Sequence, residues 1–461
     1  MRHKEEDQRK SRQCTAPRAV SLGEVEDARG GTMIHGSRCG RDIHSSLLHA
    51  RIQARSRSLS KGSAQYSGMV RPLLPALAVL GTLWLCGAVG AAPPRFTAEF
   101  IVGGSNPAAI NAAGSVVGSN FSPMRGWVAP VGSAAVLLPL PAGSASSWAQ
   151  DINDLGVVVG VVSSYSSPEF FGRAVAWVPN GKGGYTVHEL GALPGQAISN
   201  ATALNNLGDI VGYSSDGTYR TAALFRVGQP VVNLGTAGLF DPQDVNEQRV
   251  VVDRSFTSRK LDLNTMAMQD LGTPGAGYLA STASAINEHG QVAGLVIRTT
   301  SGSCDREAAR HSDELGWEVQ SVCGPYNGAQ DINDRGDEVM TIQLAPFLRI
   351  DGEGTFLIDT LIDAPVGAWT SFTLSALAIN NRRQITLSAS NAALGLGGCI
   401  RLTPIGVPGD IDGDGRVGPQ DLAALLAAWG RCSGCAADLD GDGFVGSTDV
   451  ALLLNAWSAD S

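Results

Sequence analysis

"AQDINDLGVVVG" (Ala149–Gly160) reads in three parts. A short apolar run leads into Asn153, the link Asn153-Asp154-Leu155-Gly156 follows, and a run of valines leads away. An Asn side chain caps a tight turn and Gly takes its left-handed backbone angles. The stretch therefore predicts a β-hairpin whose strands flank the Asn-x-x-Gly link.

The pattern recurs. It centres on Asn111, Asn153, Asn205, Asn246, Asn287, Asn333 and Asn380, at spacings of 42, 52, 41, 41, 46 and 47 residues. The copies at Asn246 and Asn380 lack the glycine, and the copy at Asn333 has a less regular second strand. Third strands follow as "RAVAWV" from Arg173, "TAALFRV" from Thr221 and "APFLRI" from Ala345. Fourth strands end in Leu-Gly, with anchors at Leu190, Leu234 and Leu271. Four short strands in about 45 residues is the size of a propeller blade. Seven units need about 315 residues, and residues 93–405 supply 313. The seventh unit stops after its third strand, and "RFTAEFIVGG" near the start reads as a missing fourth. The expected fold is therefore mainly β: a seven-bladed β-propeller closed by residues 96–102, with a small all-α calcium module behind it. An open solenoid is the competing arrangement.

These units resemble the HAF repeats of secreted bacterial proteins over most of residues 93–405. The Ile-Asn-x-x-Gly-x-Val-x-Gly and Leu-Gly elements match. The His-Ala-Phe element does not, since "RAVAW" and "TAALF" stand there. The resemblance implies an extracellular repeat domain, a propeller, with no established chemistry.

Chemistry is sparse in the repeats. No G-x-S-x-G or H-E-x-x-H motif occurs. Asp151, Asp154, Asp331 and Asp334, from the two "AQDIND" copies, read as solvated hairpin residues rather than as a carboxylate pair for glycosidic cleavage. Trp127, Trp177 and Phe225 repeat in register and are expected in the core. Trp148 and Trp369 stand outside the register and are expected as exposed stacking platforms. The insertions "SSYSSPEFF" (Ser163–Phe171) and "TTSGSCDRE" (Thr299–Glu307) read as long hairpin tips.

The C-terminus carries the sharpest motif. "DIDGDGRVGPQD" (Asp410–Asp421) returns as "DLDGDGFVGSTD" (Asp438–Asp449). Calcium takes six to eight oxygen ligands from such a loop. Positions 1, 3, 5 and 12 are Asp410, Asp412, Asp414 and Asp421, then Asp438, Asp440, Asp442 and Asp449. Arg416 and Phe444 at position 7 offer backbone carbonyls, so two Ca2+ ions are expected. Val417 and Val445 are expected to pair as a short β-contact between the loops. No helix enters the first loop, because "LTPIGVPG" holds two prolines. Exiting helices are expected over "DLAALLAAWG" and "DVALLLNAWS". Leu422, Leu425, Leu426 and Trp429 should pack on their counterparts Val450, Leu453, Leu454 and Trp457.

This duplicated loop–helix unit resembles a type I dockerin from Gly409 to about Ser458. The resemblance implies a non-catalytic module that binds a cohesin-like partner. It places partner contacts at loop positions 10 and 11: Ser447-Thr448 match the family, and Pro419-Gln420 in the first copy depart from it. The second face is therefore the expected contact.

Charge and cysteines set the location. Residues 1–92 carry 14 basic and 7 acidic residues, and the rest carry 20 and 36. So acidic a body does not bind nucleic acid, whose phosphates need Lys and Arg. Met69–Ala92 reads as a secretory signal cleaved near Ala92, leaving no membrane span in the mature chain. Residues 1–68 then read as a gene-start artefact or a disordered extension. The organisation expected is 1–68 extension, 69–92 signal, 93–405 propeller and 406–461 calcium module. In an exported chain, Cys304–Cys323 and Cys432–Cys435 are candidate disulfides, leaving Cys399 odd. The expected function is an exported, non-enzymatic protein. Its docking module tethers a propeller that binds a glycan or protein. The alternatives are a glycoside hydrolase on the same tether and a structural envelope protein.

Overall fold

The computed structural model describes residues 94–164, 172–299, 305–321, 324–363, 367–372, 377–406, 409–413, 416–432, 435–439 and 443–457. The chain divides into residues 1–84 and 85–461, and every described residue lies in the second part. The signal segment, Cys304, Cys323, Asp414, Asp440, Asp442 and most of the Ser163–Phe171 tip fall outside the described residues.

Among the described residues seven sheets, antiparallel except for one short parallel pair between Phe96–Thr97 and Ile362–Asp363, form the blades of a β-propeller. Six have four strands in chain order, with inner strands at Ser105–Ile110, Ser146–Ile152, Ile198–Leu204, Pro242–Val245, Tyr278–Ile286 and Gly328–Ile332. The seventh is built from both ends of the domain. Phe96–Gly103 pairs antiparallel with Leu396–Pro404, supplying the strand that the last repeat lacks. The ring is closed and the solenoid is excluded. Closure hides a sheet edge that would otherwise stand open.

One apolar cluster lies at each junction between blades. Val117, Val128 and Leu138 of blade 1 meet Val158, Val175 and Trp177 of blade 2. Corresponding clusters join blades 2 and 3, 3 and 4, 4 and 5, 5 and 6, 6 and 7, and 7 and 1. Trp127, Trp177 and Phe225 are buried in them, as expected. Trp369 is buried as well, which removes it as an exposed platform. Its indole packs into the cluster between blades 6 and 7.

The seven asparagines do more than cap their own turns. Each Oδ1 accepts the backbone N–H four residues on, holding its hairpin. Each Nδ2 donates to the backbone carbonyl of the asparagine in the next blade, at 2.9–3.2 Å. Asn380 bonds to Asn111, so the belt is continuous. All seven side chains are buried.

The turn glycines at 114, 156, 208, 290 and 336 have φ of +74° to +88°. Arg249 and Arg383 occupy the same left-handed position at φ 67° and 56°. Both are held by carboxylates: Arg249 Nε by Asp209 at 2.6 Å, and Arg383 Nε by Asp337 at 2.9 Å in a fully buried pair.

A second device recurs just before the asparagine. In blade 2 the register shifts between Ala149 and Asp151, leaving Gln150 as a β-bulge. Five other blades shift at the same place. The strand crossing each bulge passes close. A Cβ on Gly160 would meet Trp148 O at 2.0 Å, and one on Gly212 would meet Asn200 O at 2.0 Å. That close approach explains the second glycine of the motif.

Two substitutions test this frame. Asn205→Asp keeps the acceptor for the turn but sets an oxygen against the Asn246 carbonyl. We expect it to cost about 1–3 kcal/mol or more in equilibrium denaturation. Arg383→Gly relieves about 1–3 kcal/mol of backbone strain, but leaves the buried Asp337 without its cation, at about 3–5 kcal/mol. The net expectation is destabilisation, and a raised denaturation midpoint would refute it.

Candidate functional sites

The two calcium-type loops build near-identical frames. Helices Pro419–Ala427 and Ser447–Asn455 follow them. In the first, Asp421 Oδ2 accepts the N–H of Gly418 at 2.7 Å, and its Oδ1 accepts those of Ile411 and Asp412 at 2.6 and 3.0 Å. In the second, Asp449 does the same with Gly446 and Leu439, each at 2.7 Å. Each aspartate closes its loop and stabilises the positive end of its helix. Carboxylate oxygens of Asp410, Asp412 and Asp421 lie within 4.8 Å of one another. In the second loop, Asp438 Oδ2 accepts Gly443 N–H at 3.0 Å, while its buried Oδ1 has no hydrogen-bond donor among the described residues. The three carboxylates of the first loop, and Asp438 in the second, are the groups that could hold a hard cation.

The module has its own small core of Val417, Leu425, Ala437, Val445 and Leu453. It is not purely helical: a two-residue ladder pairs Gly430 with Val445 and Arg431 with Phe444. Among the described residues Val445 thus pairs with Gly430, not with Val417, and both valines go into the core. The expected helix-to-helix face is also narrower. Leu425 and Leu453 are buried, but Leu426, Trp429 and Leu454 are 53%, 55% and 52% exposed. Nine-residue helices beside so small a core bury only one full ridge each. Cys432 and Cys435 form a disulfide. Cys399 is free and buried, and burial pushes its thiol up to about 12, so it is unreactive. Arg306 and Gly324 form an isolated bridge; Cys304 and Cys323 lie outside the described residues.

Ser447 and Thr448 are exposed at the start of the second helix, and Pro419 and Gln420 hold the same place on the first. The first loop leans on the propeller: Arg335 Nη2 reaches Asp412 Oδ2 at 3.2 Å, and Arg416 pairs with Glu353. Arg335 Nε also donates to Asn381 O at 3.0 Å, linking the loop to a turn of blade 7.

The propeller channel holds carboxylates that the hairpin reading missed. Asp151, Asp244 and Asp331 stand on blades 2, 4 and 6, with Ala109, Ala203, Ala285 and Ala378 in between. Asp151 and Asp331 are half-buried and hydrogen-bonded rather than free hairpin residues. Asp151 accepts Ile152 N–H and, across to blade 3, Leu204 N–H. Asp244 and Asp331 staple blades 4 to 5 and 6 to 7 in the same way. The bulge turns the preceding glutamines, Gln150, Gln243 and Gln330, toward the same lumen. The signal was present as "QDIN" twice and "QDVN" once, on alternate repeats. Asp154 and Asp334 lie one ring outward, in a chain of side-chain acceptors at the channel's end that includes Glu247 and Glu288.

Burial, then the charge of Asp244, pushes Asp151 up to about 7. Burial and the same neighbour raise Asp331 to about 7, and burial raises Asp244. The folded channel therefore favours their neutral forms. That stability is fully present below the unfolded value near 4, and is lost as pH rises through about 7. We expect the wild type to lose stability relative to Asp151→Asn/Asp331→Asn between pH 4 and 7. Chemical denaturation of both proteins across that range checks it, and a pH-independent difference would contradict it.

No protein-family model matches the chain, and no curated protein sequence matches it. Among solved structures, a virginiamycin B lyase from Staphylococcus aureus with quinupristin is similar at 9% identity and TM-score 0.42, over 68% of this chain and 100% of that one. YCF48 bound to D1 peptide is similar at 8% and 0.43, over 69% and 97%. An oligogalacturonate lyase from Vibrio parahaemolyticus is similar at 11% and 0.43, over 68% and 92%. The propeller assignment rests on the strand pairing of the chain itself.

Proposed function

We propose that this is an exported, calcium-binding protein in which a dockerin-like C-terminal module tethers a β-propeller binding domain to a cohesin-like or surface partner. The observation that carries the reading is the buried Oδ1 of Asp438, without a donor among the described residues, in a loop framed like the one that gathers Asp410, Asp412 and Asp421. A cation at each loop would take these carboxylates, with Asp440 at position 3, Asp414 and Asp442 at position 5 and the carbonyls of Arg416 and Phe444 at position 7. Its binding energy would appear as stability of a module whose own core is five residues. The partner would meet Ser447 and Thr448, with exposed Leu452, Leu454 and Phe444 as neighbouring apolar surface.

A second reading, a polysaccharide-degrading enzyme on the same tether, draws on the channel aspartates and their raised proton affinity. Against it, both oxygens of each already accept backbone N–H groups, one from the next residue of its own strand and one from the following blade.

Two measurements test the proposal. Calcium at one hundred times its Kd should add about 2.7 kcal/mol to the module's unfolding, and Asp438→Asn should reduce that gain. A calcium-dependent pull-down from the source's extracellular fraction should recover a partner, with Ser447→Ala/Thr448→Ala losing most of it. Capture unaffected by chelation or by the double substitution would reject the tether.

A further inference from the structure

The channel end opposite the asparagine belt opens into a cavity of 630 Å³ against blades 1 to 4. That volume is within the range of small-molecule sites. Its lining departs from the repeat. Trp148 stands on the inner strand of blade 2, five residues before the belt asparagine, half-buried and lining the cavity. The same place in blades 1, 3 and 4 holds Asn106, Asn200 and Asp241. A tryptophan that built the propeller would recur and be buried, as Trp127 and Trp177 are.

Polar groups line the same cavity. The guanidinium of Arg220 lies 4.2 Å over the Tyr213 ring, and among the described residues it has no carboxylate partner. Stacking fixes its plane and leaves its N–H edge for a ligand. Asp241 is shared with Arg254 at 3.4 Å, so the second arginine of the cavity is partly neutralised. Asn120, on the cavity wall, has no side-chain hydrogen bond among the described residues, and the Gln150 amide reaches Asn200 at 3.1 Å.

We infer that this cavity binds an anionic oligosaccharide, with a pyranose face on Trp148 and a sugar carboxylate at Arg220. The inference rests on the reading of the propeller as the ligand-binding part of the chain. A pyranose ring offers a patch of C–H groups to an indole and adjacent hydroxyls that pair with side-chain amides. The planar fork of an unpaired arginine suits a carboxylate. Of the two arginines lining the cavity, Arg254 already faces Asp241, so the carboxylate's place is Arg220.

Calorimetry on the full chain tests it with three probes: a β-1,4-linked glucuronate trisaccharide, the glucose trisaccharide of the same linkage, and an acidic tripeptide. The glucuronate probe should bind at least tenfold more tightly than either of the others. Trp148→Ala should weaken it at least tenfold. Arg220→Gln, an exposed change whose melting curve should match the wild type, should erase the preference over the glucose probe. Equal binding of both sugars, equal binding of the tripeptide, no sugar binding, or an unchanged preference in Arg220→Gln each overturns the inference. The calcium-dependent pull-down reads the tether separately, so a failure here leaves that result standing.

Discussion

The propeller depends on a division of labour within one side chain. An asparagine amide carries an acceptor and a donor on the same carbon, and here the two face different blades. The oxygen holds the hairpin of its own unit, and the nitrogen holds the backbone of the next. Aspartate could do the first task and lysine the second, but neither could do both. Burial then makes the arrangement obligatory, since an unmet amide or carbonyl in that setting costs more than a met one contributes. The apolar junctions supply most of the favourable energy, and the belt makes the hairpins of neighbouring blades meet in one register.

The bulge beside the belt turns the same backbone toward the lumen. In an ordinary strand Gln150 and Asp151 would point to opposite faces. The extra residue aims both inward, and three alternate blades use that to place carboxylates whose oxygens bridge to the following blade. Those bridges strengthen the 2–3, 4–5 and 6–7 junctions, while the other junctions carry alanine at the same place. The ring is thus sevenfold in its belt and paired in its lining.

Much of this was legible. The repeat spacing, the Asn-x-x-Gly turns and the orphan strand at Phe96 sufficed for the blade count and the closure. Local turn chemistry is written within a few residues. The partner of each asparagine nitrogen is not, because it lies 41 to 52 residues away along the chain, or 269 at the closure. The channel aspartates were misread for a related reason: polarity next to a turn looks the same whether it faces solvent or a lumen. The second glycine of the motif, at 160 and 212, was the available clue to the bulge. In the C-terminal module the acidic loops could be read from spacing. The helix faces could not be ranked, because apolar residues on a nine-residue helix outnumber the places in a five-residue core. Leu426, Trp429 and Leu454 lost that competition.

The units differ in length by as much as eleven residues, yet the belt distances stay between 2.9 and 3.2 Å. Each bond asks only for a carbonyl on the neighbouring turn. Nothing in that rule counts to seven. The number is set elsewhere, by the wedge of side chains at each junction and by the strand that joins the two ends. A belt with no arithmetic of its own lets hairpin tips lengthen without renegotiating the centre. It also gives a lineage of such chains a simple way to grow or shrink: duplicating or deleting one whole unit preserves every bonding instruction and leaves only the wedge angle to be readjusted.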